Sequence, residues 1–196
     1  MEAPSRPTLF LVSKPQLDAA ASPAAGTDNH GELMNQALTC AEFGQKLEAV
    51  RIYKKIVSEN PRHFQAHYNV ASLLMGMGEY EKARDHFLAA SNVDPRNADA
   101  CFWFARALEK CGEYPMAERQ YRRAIALRPG HAETHYHLAM LLDFKMESYR
   151  PAVREYEIFR GLDRERDPQG AWGTARNRIQ DILARDRLKI IARRPA

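Results

Sequence analysis

Apolar and polar residues follow one another along the middle of the chain with the periodicity of amphipathic helices. Between positions 66 and 95, apolar and small residues recur at intervals of three and four, in two runs separated by a turn that contains Gly78. No run of residues alternates with a period of two between turn signals, which argues against strands. The pattern therefore predicts an all-α protein made of short helices joined by tight turns.

The same pattern returns after 34 residues, because the stretch at 66–95 aligns with the stretch at 100–129. An earlier copy begins near His30, and a later copy begins near Ala132. The later copy slips by one residue, so that Met146 stands where the others have glycine. A fixed period with degenerate outer copies is typical of a stack of repeats whose ends are capped. Identical pairs at this spacing are Ala66/Ala100, Ala71/Ala105, Leu74/Leu108, Gly78/Gly112, Glu79/Glu113, Tyr80/Tyr114, Ala83/Ala117, Ala90/Ala124 and Pro95/Pro129.

These residues resemble the tetratricopeptide repeat family over about residues 30–162. The departures from its pattern are His67, Cys101 and His135, which replace the usual tryptophan, and the slipped fourth turn. The resemblance implies a right-handed superhelical stack of about four helix-turn-helix repeats, with a concave groove lined by the first helix of each repeat. The family spacing is carried by His67, Val70, Ala71, Leu74, Ala83, Phe87 and Pro95, and again by Cys101, Phe104, Ala105, Leu108, Ala117, Tyr121 and Pro129.

Three regions are predicted along the chain. Residues 1–29, rich in Ala, Pro and Ser, are predicted to be a disordered tail, and residues 30–165 form the four-repeat domain. Residues 166–196 are predicted to be a capping helix with a basic tail, and the alternative is a basic helix that binds RNA or a membrane surface. The apolar face of this helix consists of Trp172, Ala175, Ile179, Ile182 and Leu183.

Composition narrows the class of protein. The net charge of +4 is concentrated after Gln169, where seven Lys and Arg stand against two Asp. The repeats therefore lack an overall basic field for nucleic acid. Three cysteines without a CxxC pair argue against a disulfide framework, and no apolar run approaches the length of a membrane span. These features predict a cytoplasmic protein.

Residues with catalytic or metal-binding chemistry are sparse. His131, His135 and His137 cluster, but no HExxH motif, paired CxxC or carboxylate-flanked set accompanies them. Cys111 is interpreted as an ordinary surface thiol at a turn. No phosphate-binding loop or nucleophile-and-base arrangement is present in the sequence. We therefore predict a protein that is not an enzyme and that has no cofactor, no metal site and no small-molecule substrate.

The family resemblance implies which side chains face the groove. One column would contain Met34 and an aromatic strip of Tyr68, Phe102 and Tyr136, which suits the apolar side chains of a peptide. An acidic rim is expected from Asp99, Glu109, Glu133 and Asp143. The residues predicted to bind the peptide are Asn35, Tyr68, Asn69, Ser72, Phe102, Trp103, Arg106, Tyr136, His137 and Met140.

Two functional hypotheses follow, with others behind them. The first is a non-enzymatic adaptor or assembly factor that binds a protein segment in the groove, and the second is a self-assembling homo-oligomeric scaffold. A secretion chaperone and a nucleic-acid-binding module that uses the basic C-terminus have less support. The N-terminal segment PTLFLVSKPQL, with four consecutive apolar residues at 9–12, is a further candidate to dock in a groove.

Overall fold

The computed structural model describes residues 29–162 and the helix at 171–192, in which the side chains of residues 173 and 175–184 are placed. Within these ranges all the regular structure is helical, as the sequence predicts. The helices are α1 (Asn29–Glu42), α2 (Lys46–Glu59), α3 (Phe64–Met75), α4 (Tyr80–Val93), α5 (Ala98–Lys110), α6 (Tyr114–Leu127), α7 (Ala132–Phe144), α8 (Tyr149–Leu162) and α9 (Ala171–Ala192). The tail predicted at 1–29 lies outside the described residues except for Asn29, which begins α1.

The helices belong to two compact units, one ending at Cys111 and one beginning at Gly112. In unit 1, α2 lies against α1 and α3, and α4 lies against α3 and α5. Its core contains the small residues of the repeat pattern together with large side chains. The large side chains that are fully buried include Tyr53, Ile56, Val70 and Phe87. Alanines at 49, 71 and 83 are also fully buried, since small side chains let paired helices approach closely.

Unit 2 repeats this arrangement and ends in the predicted capping helix. Helix α7 lies against α6 and α8, and α9 lies against α8. Ala175, Ile179 and Ile182 of α9 are buried, as their spacing predicts. Leu183, which the sequence analysis assigned to the same face, is instead 46% exposed, and the side chain of Trp172 lies outside the described residues. The buried stripe of α9 is therefore narrower than predicted.

The turns explain both the glycines and the slip in the fourth repeat. Gly44, Gly78 and Gly112 have φ of +77°, +82° and +79°, in the left-handed region that glycine adopts at little cost. In the fourth repeat the positive φ of 51° falls on Glu147, one position after Met146. The extra residue predicted from the sequence is therefore accommodated in this turn, and α8 begins one residue late relative to the repeat.

Candidate functional site

In unit 1 the predicted groove residues of α3 and α5 are mostly buried. The side chains of Tyr68 and Phe102 are 3% and 2% exposed. The Tyr68 ring lies edge-on to Phe87 at 5.6 Å and stacks on Phe64 at 5.9 Å, and the Phe102 ring lies edge-on to Trp103 at 5.1 Å. These rings help to pack unit 1. Their contact with a peptide stays a prediction.

The polar groove residues of unit 1 are also held by internal bonds. The side-chain amide of Asn69, fully buried, donates to the Tyr53 hydroxyl at 3.2 Å, and burial raises the pKa of Tyr53 to about 12. Ser72 donates to the carbonyl of Tyr68 one turn earlier. Arg106 is 7% exposed, whereas Asn35 on α1 is open to solvent. Of the two asparagines predicted to bind the peptide, the structure thus exposes Asn35 and buries Asn69.

Unit 2 contributes the half-buried part of the predicted site. On α7, Tyr136, His137 and Met140 are half-buried, while the core residues of the same helix are fully covered. The Tyr136 ring rests on Phe159, with centroids 5.1 Å apart. The Nε2 of His137 lies 3.6 Å from a carboxylate oxygen of Glu133. These three side chains form what we call the α7 face. It leaves part of an aromatic ring, an imidazole and a thioether accessible to solvent.

One residue of the predicted acidic rim has a different role. Asp143 is buried, and both of its carboxylate oxygens accept hydrogen bonds from Arg178 of α9, at 2.5 and 2.8 Å. The Tyr156 hydroxyl also lies 3.4 Å from this carboxylate, and burial followed by the charge of Asp143 raises the pKa of that hydroxyl. Asp143 is therefore a buried ion-pair partner that joins α7 to α9 within unit 2. The rim prediction was wrong at this position.

Sequence reasoning missed the role of Arg178, although a signal was present. Arg178 directly precedes Ile179 on α9, beside the buried stripe of that helix, and its guanidinium lies 4.6 Å above the Phe144 ring. An arginine beside an apolar stripe indicates a carboxylate partner on the helix that it covers. Without the fold, Asp143 could not be chosen among the other acidic residues.

The three clustered histidines have separate partners. His131 Nδ1 lies 2.6 Å from the Thr134 hydroxyl, and His135 Nδ1 lies 2.7 Å from a carboxylate oxygen of Glu155. Within the ranges that the structure describes, no three His, Cys, Asp or Glu side chains are grouped as a metal site requires.

Two histidines occupy the position at which the family usually has tryptophan. Each forms a hydrogen bond with the backbone at the end of the preceding repeat. His67 Nε2 and His135 Nε2 each lie 3.0 Å from the carbonyl of the proline that ends that repeat, Pro61 or Pro129. A carbonyl only accepts, so this nitrogen carries the proton in both rings. His67 Nδ1 then accepts from His86 Nδ1, 3.1 Å away. His135 Nδ1 then donates to the Glu155 carboxylate, a partner that favours the protonated form of that ring.

The two histidine pairs predict opposite responses to pH. Burial, then the nearby His67 and Lys54, lower the pKa of His86 from 6.5 to about 4. Burial alone would lower the pKa of His135, but the hydrogen bonds to Glu155 and to the Pro129 carbonyl, together with the charge of Glu155, outweigh burial and raise that pKa. A lowered histidine pKa makes the unfolded chain bind more protons, so unit 1 loses stability as pH falls below about 6.5. A raised histidine pKa, as at His135, contributes stability to unit 2. That stability is present below about pH 6.5 and is lost as the pH rises through the pKa of the folded state.

We expect acidification from pH 7 to 4 to cost unit 1 roughly 1–2 kcal/mol through His86, a figure reduced for its partial exposure. The variant His86→Gln, which keeps an amide to bond His67, should lose less stability over this interval. Urea unfolding followed by circular dichroism at pH 7, 5.5 and 4 measures the difference. Equal acid losses in the variant and the parent would contradict the assignment.

Comparison with known proteins identifies the family. The sequence profile described as tetratricopeptide repeat matches residues 35–95 and 69–132, which together cover half of the chain. The chain is a tetratricopeptide repeat protein. This confirms the resemblance found in the sequence, and the fold is that of a typically non-catalytic protein-interaction module.

Relatives of this tetratricopeptide repeat protein are distant in sequence. It is 27% identical over 95 residues to the small glutamine-rich tetratricopeptide repeat-containing protein 2 of Mycosarcoma maydis, matching 48% of this chain and 26% of that one. A structure of MamA from Desulfovibrio magneticus superimposes with a TM-score of 0.65 at 21% identity, covering 70% of this chain and 77% of MamA. YrrB, described as having an unusual peptide-binding site, superimposes with a TM-score of 0.67 at 18% identity, covering 79% and 76%. These likenesses establish the fold.

No helix in the described ranges is both long enough and apolar enough to cross a membrane.

Proposed function

We propose that this tetratricopeptide repeat protein is a non-enzymatic adaptor that holds an extended segment of a protein partner against the first helices of its repeats. Each unit offers its own face, formed by α1, α3 and α5 in unit 1 and by α7 in unit 2. This proposal keeps the groove residues predicted from the sequence, and it divides them into a buried floor and accessible contacts. The family assignment supports protein binding as the general role.

The α7 face is the observation that carries the proposal. Leu138 and Leu142 are fully or almost fully buried, so the side of α7 that faces the core is already packed against other side chains. Tyr136, His137 and Met140 remain half-buried on positions that the core does not use. Partly covered aromatic and thioether groups gain most from a partner that excludes the remaining water. Such a surface suits an apolar or aromatic side chain of a bound peptide.

The unit 1 face supports the proposal in a different way. Its floor, made by Tyr68, Phe102 and Trp103, is fixed by packing and presents little free area. The accessible residues of this face lie on α1, where Asn35 is exposed and Leu38 is half-buried. A rigid floor lowers the entropy cost of binding, because few side chains have to be ordered. The exposed asparagine amide can bond the backbone of an extended segment.

Panning a library of random peptides of about a dozen residues against the whole protein tests the proposal. Selected peptides should bind the double variant His137→Ala/Met140→Ala, or Asn35→Ala/Leu38→Ala, at least about tenfold more weakly than the parent. The matched control is Met116→Ala/Leu127→Ala, which removes two exposed apolar side chains of α6 outside both faces. Equal losses in the control, or selected peptides insensitive to both face variants, would overturn the proposal.

A further inference from the structure

A cavity on unit 2 lies between α6 and α8, apart from the α7 face. Its volume is 320 Å³, and its lining is Arg122 from α6 with Arg150, Pro151, Arg154 and Glu155 from α8. Three of these five residues are arginines. Residues 112–169 have ten Lys and Arg against ten Asp and Glu, and the positive excess of unit 2 lies after Gln169. The three arginines of the lining are therefore a local concentration of positive charge in a part of the chain that is neutral overall.

The carboxylates near the cavity neutralise this charge only in part. Arg122 donates from Nε and Nη2 to one oxygen of Glu118, at 3.0 and 2.8 Å, in a pair exposed to solvent. Such solvent-exposed ion pairs contribute little to the free energy of folding, so Arg122 can exchange Glu118 for another anion at small cost. Glu155, the acidic residue of the lining, lies 2.7 Å from His135 Nδ1, so its carboxylate is already engaged by that ring. Arg154 makes no hydrogen bond or ion pair within the part of the chain that the structure describes.

The equivalent position of unit 1 shows that this arrangement is not imposed by the fold. By the repeat spacing, Lys54 on α2 corresponds to Arg122, while Glu81 and Asp85 on α4 correspond to Arg150 and Arg154. The charges of Lys54 and Asp85 both act on the pKa of His86, so both side chains lie near that ring, and Asp85 also accepts hydrogen bonds from Arg84. The unit 1 positions thus hold one cation and two carboxylates, and the unit 2 positions hold three arginines beside Glu155. Like charges held together are unfavourable unless an anion joins them.

We propose that the cavity between α6 and α8 binds a phosphoryl group. Arginine suits this ligand, because its planar guanidinium donates two parallel hydrogen bonds to a pair of phosphate oxygens. Arg122, Arg150 and Arg154 supply donors from two helices, so the ligand would also bridge α6 and α8. The phosphoryl group can belong to a free phosphate or to a phosphorylated side chain of a protein partner. The site is independent of the peptide faces proposed above.

Calorimetric titration of the whole protein distinguishes these sources and tests the site. The probes are inorganic pyrophosphate and a short neutral peptide with one phosphoserine, each compared with its counterpart: sulfate for pyrophosphate and the unphosphorylated peptide for the phosphopeptide. We expect saturable binding of at least one phosphorylated probe, weakened at least about tenfold by Arg154→Gln and by Arg122→Gln. The bound probe should also raise the melting temperature of the parent and not that of Arg154→Gln. If only pyrophosphate binds, the natural ligand is a free phosphate. If the phosphopeptide binds, the natural ligand is a phosphorylated side chain of a protein partner.

The matched control is Arg119→Gln, which removes an exposed arginine of α6 that does not line the cavity. It should bind the probe within about twofold of the parent, because a formed site depends on its own arginines. Equal weakening by Arg119→Gln would show a diffuse basic field and overturn the proposal. No saturable binding of either phosphorylated probe by the parent, or an equal affinity for sulfate, would overturn it as well. All three variants replace exposed side chains, and circular dichroism melts confirm that they are folded.

Discussion

Replacing Arg178 by alanine should lower the free energy of unfolding of unit 2 by about 3–5 kcal/mol. The side chain of Asp143 is fully buried, and Arg178 supplies two charge-assisted hydrogen bonds to it from α9. Without that guanidinium, the carboxylate would remain in a low-dielectric site with the Tyr156 hydroxyl at 3.4 Å as its neighbour. The cost is mainly that of an uncompensated buried charge.

Hydrogen exchange of the α7 and α8 amides in the whole protein measures this loss within unit 2. Arg176→Ala, an exposed arginine of the same helix, is the matched control and should leave exchange within about 0.5 kcal/mol of the parent. The double variant Asp143→Leu/Arg178→Leu should recover most of the stability, since no buried charge remains. If Arg178→Ala exchanges like Arg176→Ala, the ion pair does not hold α9 in place.

Replacing Phe87 by alanine should destabilise unit 1 by about 3–5 kcal/mol. Phe87 is fully buried on α4, and its ring lies edge-on to Tyr68 of α3 with centroids 5.6 Å apart. Removing the ring leaves a cavity beneath Tyr68, which is the floor of the proposed unit 1 face. The variant should therefore bind a selected peptide more weakly as well as unfold more easily.

The neighbouring residue provides the control for Phe87. Leu88 is 44% exposed, so Leu88→Ala removes a large apolar side chain without opening a core cavity. Its expected loss is below about 1 kcal/mol by urea unfolding. Comparable destabilisation by the two variants would mean that the packing between α3 and α4 differs from the arrangement described.

A buried floor under accessible edge contacts has a consequence for binding specificity. The rings that the sequence offered as anchors, Tyr68 and Phe102, shape the surface through packing. Partner choice would then be set by exposed or half-buried residues such as Asn35, His137 and Met140. Substitutions at these positions should change affinity without changing stability, which separates recognition from folding experimentally.

The sequence by itself determined the repeat architecture. The glycine at each turn, the alanines at helix contacts and the 34-residue spacing each satisfy a local requirement, namely a left-handed turn or a close approach. Local requirements of this kind can be read in a single chain, and they located even the slip that the structure places at Glu147. The apolar stripe of α9 was also readable, because Ala175, Ile179 and Ile182 follow helical spacing.

Only the tertiary structure decided which side chains are buried and which charges meet. Asp143 and Arg178 are 35 positions apart, and helical periodicity carries no information about partners at that separation. The same holds for Asn69, which bonds Tyr53, and for Arg122 and Arg154, which line one cavity because a later helix returns beside an earlier one. Periodicity assigns a residue to a face of its own helix. Burial and pairing depend on what the rest of the chain places against that face.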